Sequence, residues 1–164
     1  MSTVALSLGS NLGDRLQLLR KAVSLLRGAG LVILASSDVF ETPPWGVENQ
    51  PRFLNACVLA ETRLSPEELL DLLKQMEDAL GRTPEKRWGP RIIDIDILFC
   101  DGVSVRSDRL TIPHREMARR AFVLLPLAQV APEWRHPETG LTPEDMIRLL
   151  PPAETGGILR VCSL

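Results

Sequence analysis

Two aspartates separated by a single residue, Asp94 and Asp96, lie inside an isoleucine-rich stretch at residues 92–99. The alternation of isoleucines with these acids predicts a β-strand, and side chains two residues apart on a strand project from the same face. Two neighbouring carboxylates resist burial unless a cation lies between them, and aspartate is a poor strand former. The pair therefore suggests a metal site. A strand with one solvated face would also explain it, and on the pair alone that interpretation is slightly favoured.

The segment before this strand adds positive charge. Arg87 and Arg91 bracket a Trp-Gly-Pro sequence that can be neither regular helix nor central strand, because glycine frees the backbone and Pro90 lacks an amide donor. A loop that brings cations to paired carboxylates predicts an anionic substrate bridged by metal. Oxygen ligands favour Mg²⁺, which usually binds few protein carboxylates together with substrate phosphates. Two such ions held by two aspartates would serve phosphoryl transfer.

Composition narrows the class of protein further. The 164 residues are 45% hydrophobic, so we expect one domain spanning residues 1–164. The formal net charge is −2, which predicts no overall attraction to nucleic acid or to an anionic membrane. Three widely spaced cysteines and two histidines argue against a zinc site and fit a reducing cytosol. With no signal peptide or membrane-spanning run apparent, we expect a cytoplasmic protein.

Hydrophobic periodicity predicts elements in the order β-α-β-β-α-β. The strands are expected at residues 3–8, 31–42, 53–62 and in a stretch ending at Cys100, with helices between residues 14 and 28 and between residues 65 and 81. This order is the ferredoxin-like pattern, an α+β class whose antiparallel sheet carries both helices on one face. The aspartate pair then occupies the open face, with loops 43–52 and 82–91 closing over it. A C-terminal extension of helices and a hairpin at Asp101-Gly102 should follow.

A glycine-rich turn at residues 9–14 connects the first strand to the first helix. The turn lacks the Lys-Ser/Thr ending of a phosphate-binding P-loop and the spacing of a dinucleotide fingerprint. A tight strand-to-helix connection is therefore preferred over a phosphate site, and either Asn11 or Asp14 is expected to cap the helix.

Several short motifs then occur in a fixed order along nearly the whole chain. They are Phe40-x-Thr42-Pro43-Pro44-Trp45-Gly46, Phe53-Leu54-Asn55-Ala56, Gly81-Arg82, Arg87-Trp88-Gly89-Pro90-Arg91-x-x-Asp94-x-Asp96, Leu110-x-Ile112-Pro113-His114 and Arg120-x-Phe122-Val123. The set resembles the 6-hydroxymethyl-7,8-dihydropterin pyrophosphokinase family of folate biosynthesis. The resemblance implies transfer of an intact pyrophosphoryl group from ATP to the hydroxymethyl oxygen of the pterin, with release of AMP.

The resemblance also implies roles for individual residues at the ATP end. Asp94 and Asp96 would hold two Mg²⁺ ions across the ATP phosphates, and the catalytic set would be completed by loop arginines that meet those phosphates. The implied ATP-binding residues are Glu77, Arg82, Arg91, Leu98, His114 and Arg120, of which Arg82 and Arg91 are the catalytic arginines. Ordinary roles stay open for four of them: a helix-surface carboxylate for Glu77, a core side chain for Leu98, an exposed turn residue for His114 and a surface salt bridge for Arg120.

The pterin would bind between flat walls and hydrogen-bonding groups. By the resemblance, Phe53 and Phe122 would stack on its two faces, and Asn55 would bond to its edge. The implied pterin-binding residues are Thr42, Pro43, Pro44, Trp45, Phe53, Asn55, Asp94 and Phe122. Core packing is the alternative for either phenylalanine. The expected partners are ATP and the pterin alone, with neither nucleic acid nor membrane, and we expect a monomer.

Two other classes of protein compete with this interpretation. Ferredoxin-like sheets also serve as RNA-binding modules, but these need a basic face with exposed aromatic residues, whereas Asp94 and Asp96 would repel RNA. A non-catalytic, ligand-sensing module is the third possibility. Such a module would have no need for arginines that converge on two metal-binding aspartates.

Overall fold

The computed structural model describes residues 1–42, 51–81 and 92–164. Eight strands and five α-helices lie in these parts of the chain. In chain order they are β1 Ser2–Ser10, α1 Arg15–Gly28, β2 Val32–Ser36, β3 Asp38–Thr42, β4 Phe53–Thr62, α2 Pro66–Ala79, β5 Asp94–Cys100, β6 Val105–Arg106, β7 Thr111–Ile112, α3 Ala121–Val130, α4 Pro143–Arg148, α5 Pro152–Thr155 and β8 Leu159–Ser163.

Six of the strands form one antiparallel sheet in the order β5-β1-β4-β3-β8, and β2 also pairs with β4. The predicted α+β class with an antiparallel sheet is therefore confirmed. The single strand predicted over residues 31–42 is wrong, because the structure divides it at Ser37. The Ser37 hydroxyl accepts the Cys57 backbone N–H at 2.8 Å and so interrupts the ladder with a side-chain bond.

Both predicted helices begin at residues that satisfy their free backbone amides. The Asp14 side chain accepts the Gln17 N–H at 3.2 Å, so Asp14 and not Asn11 caps α1. At α2, Ser65 and Glu68 form a reciprocal capping box, with bonds of 3.2 and 3.0 Å. These local bonds fix where each helix starts relative to the strand before it.

The main core lies between these two helices and one face of the sheet. Both helices present leucines to the isoleucines and leucines of β1 and β5, as an amphipathic helix on a sheet requires. Its principal side chains are Leu6, Leu8, Leu19, Leu26, Leu69, Leu73, Ile95 and Ile97, and each is at most 4% exposed. The prediction that both helices cover one face is confirmed.

The opposite face of the sheet is open over only part of its area, which corrects the expectation of a fully open face. Helix α3 is apolar nearly all round, so it needs a second surface to bury. This second surface is formed by Ala5, Cys57 and Leu98 of the sheet. These residues pack with Val123 and other α3 side chains in a second core. The uncovered part of this face is the part that carries the two aspartates.

The C-terminal extension contains a strand that the sequence did not predict. Strand β8 returns to the sheet and pairs with β3, where Arg160 and Asp38 form an ion pair at 2.9 Å. The expected turn at Asp101-Gly102 is present, with Gly102 at φ 72°. Its return segment makes only one bridge to β5 and then pairs with β7 in a separate two-stranded sheet. No helix in the described ranges is long and apolar enough to cross a membrane.

Candidate active site

A row of residues crosses four strands on the open part of the sheet. Gly9 on β1 pairs with Asn55 of β4 on one side and with Asp94 of β5 on the other, and Asn55 pairs in turn with Phe40 of β3. Directly opposite residues of antiparallel strands project to the same face. Asn55 and Asp94 therefore flank Gly9, roughly 10 Å apart at the usual strand spacing.

Gly9 is a site residue that the sequence analysis missed. A Cβ atom at this position would lie 3.0 Å from Oδ1 of Asn55 and 3.8 Å from the Phe53 ring. The absence of a side chain therefore keeps open the space between Asn55 and Asp94. The sequence predicts Gly9 in the turn at residues 9–14, whereas β1 continues to Ser10. A glycine inside a strand often marks a place where a ligand or another backbone approaches closely, and this signal could have indicated Gly9.

Three of the implied pterin-binding residues come together beside Gly9. The Asn55 side chain donates from Nδ2 to Oγ1 of Thr42 at 2.7 Å, and the two residues are 4% and 2% exposed. Thr42 pairs with Phe53 across β3 and β4. Because the Asn55–Thr42 bond is short and shielded from water, it holds the asparagine amide in one orientation.

Phe122 lies on a different element, in the first turn of α3. It is half-buried against the second core, and the Arg120 guanidinium carbon lies 5.8 Å from the centroid of its ring. A cation above an aromatic face at this distance is a favourable contact. The contact joins a residue implied for the pterin to one implied for ATP.

A cavity of about 400 Å³ adjoins the paired aspartates. Asp94, Asp96, Glu77, His114 and Arg120, all implied by the resemblance, are among the residues that line it. Its further polar and charged lining residues are Lys74, Arg109, Thr111 and Arg115, which the sequence analysis did not single out. The cavity combines three carboxylates with several cations, which suits a polyanion that arrives with metal ions.

His114 is held in the cavity wall by its backbone and by its ring. Its backbone N–H donates to the Leu98 carbonyl at 2.8 Å, and its Nδ1 accepts the Glu116 N–H at 3.1 Å. Burial and the nearby Arg120 lower the pKa of His114 below its usual value, against weaker opposing effects of Asp94 and Glu116. A neutral imidazole whose Nδ1 accepts must carry its proton on Nε2. His114 is thereby assigned as a neutral hydrogen-bond donor.

Two of the implied ATP-binding residues lie in unexpected surroundings. Glu77 is 5% exposed and accepts the Ile95 backbone N–H at 2.9 Å, so the interpretation as a helix-surface carboxylate is wrong. Leu98 is 1% exposed within the second core and does not line the cavity, whereas Ile97 does. The Leu98 carbonyl accepts the backbone N–H of His114.

The remaining implied site residues, Pro43, Pro44, Trp45, Arg82 and Arg91, lie outside the described residues. Within residues 1–42, 51–81 and 92–164, no group of three or more His, Cys, Asp and Glu side chains is arranged to hold a metal. Two carboxylates beside a cationic cavity are nevertheless the kind of donor set that Mg²⁺ uses when substrate phosphates supply other ligands.

An α+β fold in which two aspartates line a cavity together with several cations is an arrangement typical of enzymes that transfer phosphoryl groups. Residues 5–132 match the family model described as 7,8-dihydro-6-hydroxymethylpterin-pyrophosphokinase (HPPK). The chain belongs to this family. Membership assigns it pyrophosphoryl transfer to the hydroxymethylpterin in folate biosynthesis, and ATP is the co-substrate of the family.

Similar proteins come from several kinds of organism. A 2-amino-4-hydroxy-6-hydroxymethyldihydropteridine pyrophosphokinase of Methylorubrum extorquens is 48% identical over 134 residues, which are 81% of this chain and 85% of the relative. A Bacillus subtilis protein of the same name is 46% identical over 132 residues, 79% of each chain. A mitochondrial folate synthesis bifunctional protein of Pisum sativum is 49% identical over 124 residues, which are 76% of this chain but 24% of the relative.

Solved structures with the same fold include two of Plasmodium falciparum HPPK-DHPS. The wild-type protein superposes with a TM-score of 0.68 at 18% identity, over 90% of this chain and 43% of that one. An A437G variant gives a TM-score of 0.72 at 17% identity, over 90% and 45%. The present chain therefore spans less than half the length of these solved chains, and at this identity the likeness concerns the fold.

Proposed function

We propose that the protein moves an intact pyrophosphoryl group from ATP to the hydroxymethyl oxygen of 6-hydroxymethyl-7,8-dihydropterin with the help of two Mg²⁺ ions held by Asp94 and Asp96. The hydroxymethyl oxygen would form a bond to the β-phosphorus, the bond from that phosphorus to the α,β-bridging oxygen would break, and AMP would leave. The hydroxyl proton would pass to solvent. The observation that carries this proposal is that both aspartates line one cavity together with Arg120 and His114.

The charges of this cavity explain the need for metal. Two unit charges of like sign at 4 Å repel each other by about 4 kcal/mol at an effective dielectric of 20, so an ATP phosphate beside Asp94 and Asp96 would be strongly disfavoured alone. Mg²⁺ bound between carboxylates and phosphates would reverse that sign and neutralise charge that develops during transfer. Arg109, Arg115 and Arg120, which also line the cavity, would offset part of the remaining negative charge.

The cavity wall would also orient the nucleotide. His114, neutral and protonated on Nε2, would donate a hydrogen bond to a phosphate oxygen without competing for the metal ions. Arg82 and Arg91 are proposed to reach the phosphates from the loop and to act mainly in the transition state. Alignment and charge neutralisation would then carry most of the catalysis, because the attacking group is a simple alcohol.

The pterin is proposed to lie across the space that Gly9 leaves open. Asn55, fixed by its 2.7 Å bond to Thr42, would pair with the polar edge of the ring. Phe53 would form one wall and Phe122 the other, since a flat reduced pterin needs two apolar faces. Pro43, Pro44 and Trp45 are proposed to complete the pocket. With the pterin in this place, its hydroxymethyl group would lie toward Asp94.

We further propose a ferredoxin-like topology, a monomeric state and a cytoplasmic location. The strand order β5-β1-β4 followed by β2 and β3 supports the first, because it corresponds to the order fourth-first-third-second of a split βαββαβ pattern. The three cysteines, all free, support the last.

The direct test is product analysis. Incubation of the protein with ATP, Mg²⁺ and the hydroxymethylpterin should yield AMP and the pterin diphosphate in equal amounts, and a chelator of divalent cations should stop the reaction. Formation of ADP and a pterin monophosphate would contradict transfer of an intact pyrophosphoryl group. Hydrolysis of ATP at the same rate in the absence of the pterin would contradict the assignment of the pterin as acceptor.

A further inference from the structure

Glu77 is a carboxylate in a place that its own helix does not favour. It lies in the last turn of α2, where the helix dipole is negative and disfavours an acid, and that turn carries no basic residue. It is also 5% exposed and lines the same cavity as the aspartate pair. A buried negative charge beside two others requires a compensating reason.

That reason lies on the neighbouring strand. Strand β5 is the edge of the six-stranded sheet, so only one of its sides is held by the β1 ladder. On its outer side, the Ile95 N–H donates to Oε2 of Glu77 at 2.9 Å. Ile95 lies between Asp94 and Asp96, both of which pair with β1 through Gly9 and Ser7. The strand is therefore held from both sides at the residue between the two carboxylates.

A direct metal contact is a poorer explanation of this acid. Among the described residues, Glu77 does not join Asp94 and Asp96 in a group of three metal-binding side chains. Its carboxylate accepts a backbone amide, and an ionised acceptor makes such a bond stronger than a neutral one.

We propose that Glu77 is a positioning residue that sets the spacing of Asp94 and Asp96 by fixing the β5 backbone between them. This inference rests on the proposed role of the two aspartates in holding Mg²⁺. Groups that orient metal ligands matter because the ion demands near-ideal octahedral geometry, and loss of such a partner typically weakens metal affinity or activity by about 10- to 100-fold.

Two substitutions of Glu77 separate the effect of its side-chain length from the effect of its charge. Glu77→Gln keeps the length of the side chain and an acceptor oxygen but removes the charge. Glu77→Asp keeps the charge but is one methylene shorter, so its oxygens fall short of the Ile95 amide. Asp78→Asn, on the adjacent exposed residue of α2, controls for loss of a negative charge at this helix end.

The measurements are the Mg²⁺ concentration that gives half the maximal rate and hydrogen exchange of the Ile95 amide. For Glu77→Asp we expect the Mg²⁺ midpoint to rise by about tenfold or more, with faster exchange at Ile95 and an unchanged KM for the pterin. For Glu77→Gln, whose neutral acceptor makes a weaker bond to Ile95, we expect a rise clearly smaller than that of Glu77→Asp. For Asp78→Asn we expect a midpoint within about threefold of the wild type, and Ile95 should stay protected in both variants.

The inference is overturned if Glu77→Asp keeps the wild-type Mg²⁺ midpoint, or if Glu77→Gln is impaired as severely as Glu77→Asp. The second result would show that the charge itself acts, through the nucleotide or the metal. Asp94→Asn separates this failure from failure of the proposed function. If Asp94→Asn retains activity, the metal assignment itself is wrong, whereas an inactive Asp94→Asn with a normal Glu77→Asp refutes only the role of Glu77.

Discussion

Replacing Gly9 by alanine should damage the pterin pocket while leaving the fold intact. The new Cβ would lie 3.0 Å from Oδ1 of Asn55, closer than an ordinary carbon–oxygen contact, so the asparagine amide must move by a few tenths of an ångström. That amide is held by its 2.7 Å bond to Thr42, and this bond would lengthen or break. A hydrogen bond of this kind contributes about 0.5–1.5 kcal/mol, so pterin affinity should fall by about 2- to 13-fold.

The stability of the fold should change little. Alanine restricts the unfolded chain more than glycine does, an effect of about 0.4–1 kcal/mol that would offset part of the loss of the Asn55–Thr42 bond. Gly28→Ala is the matched control, because a Cβ there meets nothing within 4 Å. Calorimetric titration with the pterin, in the presence of a non-reactive ATP analogue, measures the effect. Pterin affinity of Gly9→Ala within twofold of the wild type and of Gly28→Ala would refute the placement of the pterin beside Gly9.

Three further predictions use the same structure. Asn55→Ala should weaken pterin binding by about 1–3 kcal/mol in calorimetry, because polar groups at the edge of the pterin would be left unpaired. This loss should exceed the roughly 0.5–1.5 kcal/mol expected for Phe53→Leu. Loss of ATP affinity with normal pterin affinity would contradict the assignment. In an NMR titration, the His114 ring should show a pKa below 6.5 and the Nε2–H tautomer at neutral pH, and a midpoint above 6.5 would contradict this. The Arg160 guanidinium lowers the pKa of Asp38 below 3.8, so this ion pair stabilises the fold above that pH and stops doing so as the pH falls through the lowered pKa. The difference in melting temperature between the wild type and Arg160→Gln should therefore vanish in strong acid. A constant difference down to pH 2 would contradict this prediction.

Local signals were sufficient to predict the strand that carries the aspartate pair and the helix beside it. The alternation of isoleucine and aspartate correctly predicts β5, and the helix expected from residue 65 corresponds to α2, which Ser65 caps. These features depend on residues within one or two turns of each other, so they can be read from the sequence. The presence of both aspartates on one cavity wall follows from the same two-residue period of a strand.

Features that depend on distant partners could not be predicted in this way. Strand β8 is short, and its pairing depends on β3, more than a hundred residues earlier in the chain. Ser37 lies within an uninterrupted strand-like pattern, and its effect arises from the bond to Cys57 across the sheet. The coverage of the second face by α3 likewise depends on packing and not on periodicity.

The residues of the candidate site divide in the same manner. Family motifs led to Asn55 and Thr42, but not to the bond between them. The sequence leaves Glu77 as either an ATP-binding residue or a helix-surface carboxylate, because its partner Ile95 lies on another element. Arg109 and Arg115 gave no sequence signal of their own, since only the folded chain brings them to the cavity wall.

The central claim is that Asp94 and Asp96 hold the Mg²⁺ on which transfer depends. The most direct test is the rate of AMP formation against Mg²⁺ concentration for Asp94→Asn and Asp96→Asn, with Asp101→Asn as a control just beyond the other end of the same strand. We expect both site variants to lose more than about 100-fold in rate at ordinary Mg²⁺ while they keep the wild-type melting temperature, and the control to behave as wild type. A near-normal rate with an unchanged Mg²⁺ dependence in either site variant would contradict the account.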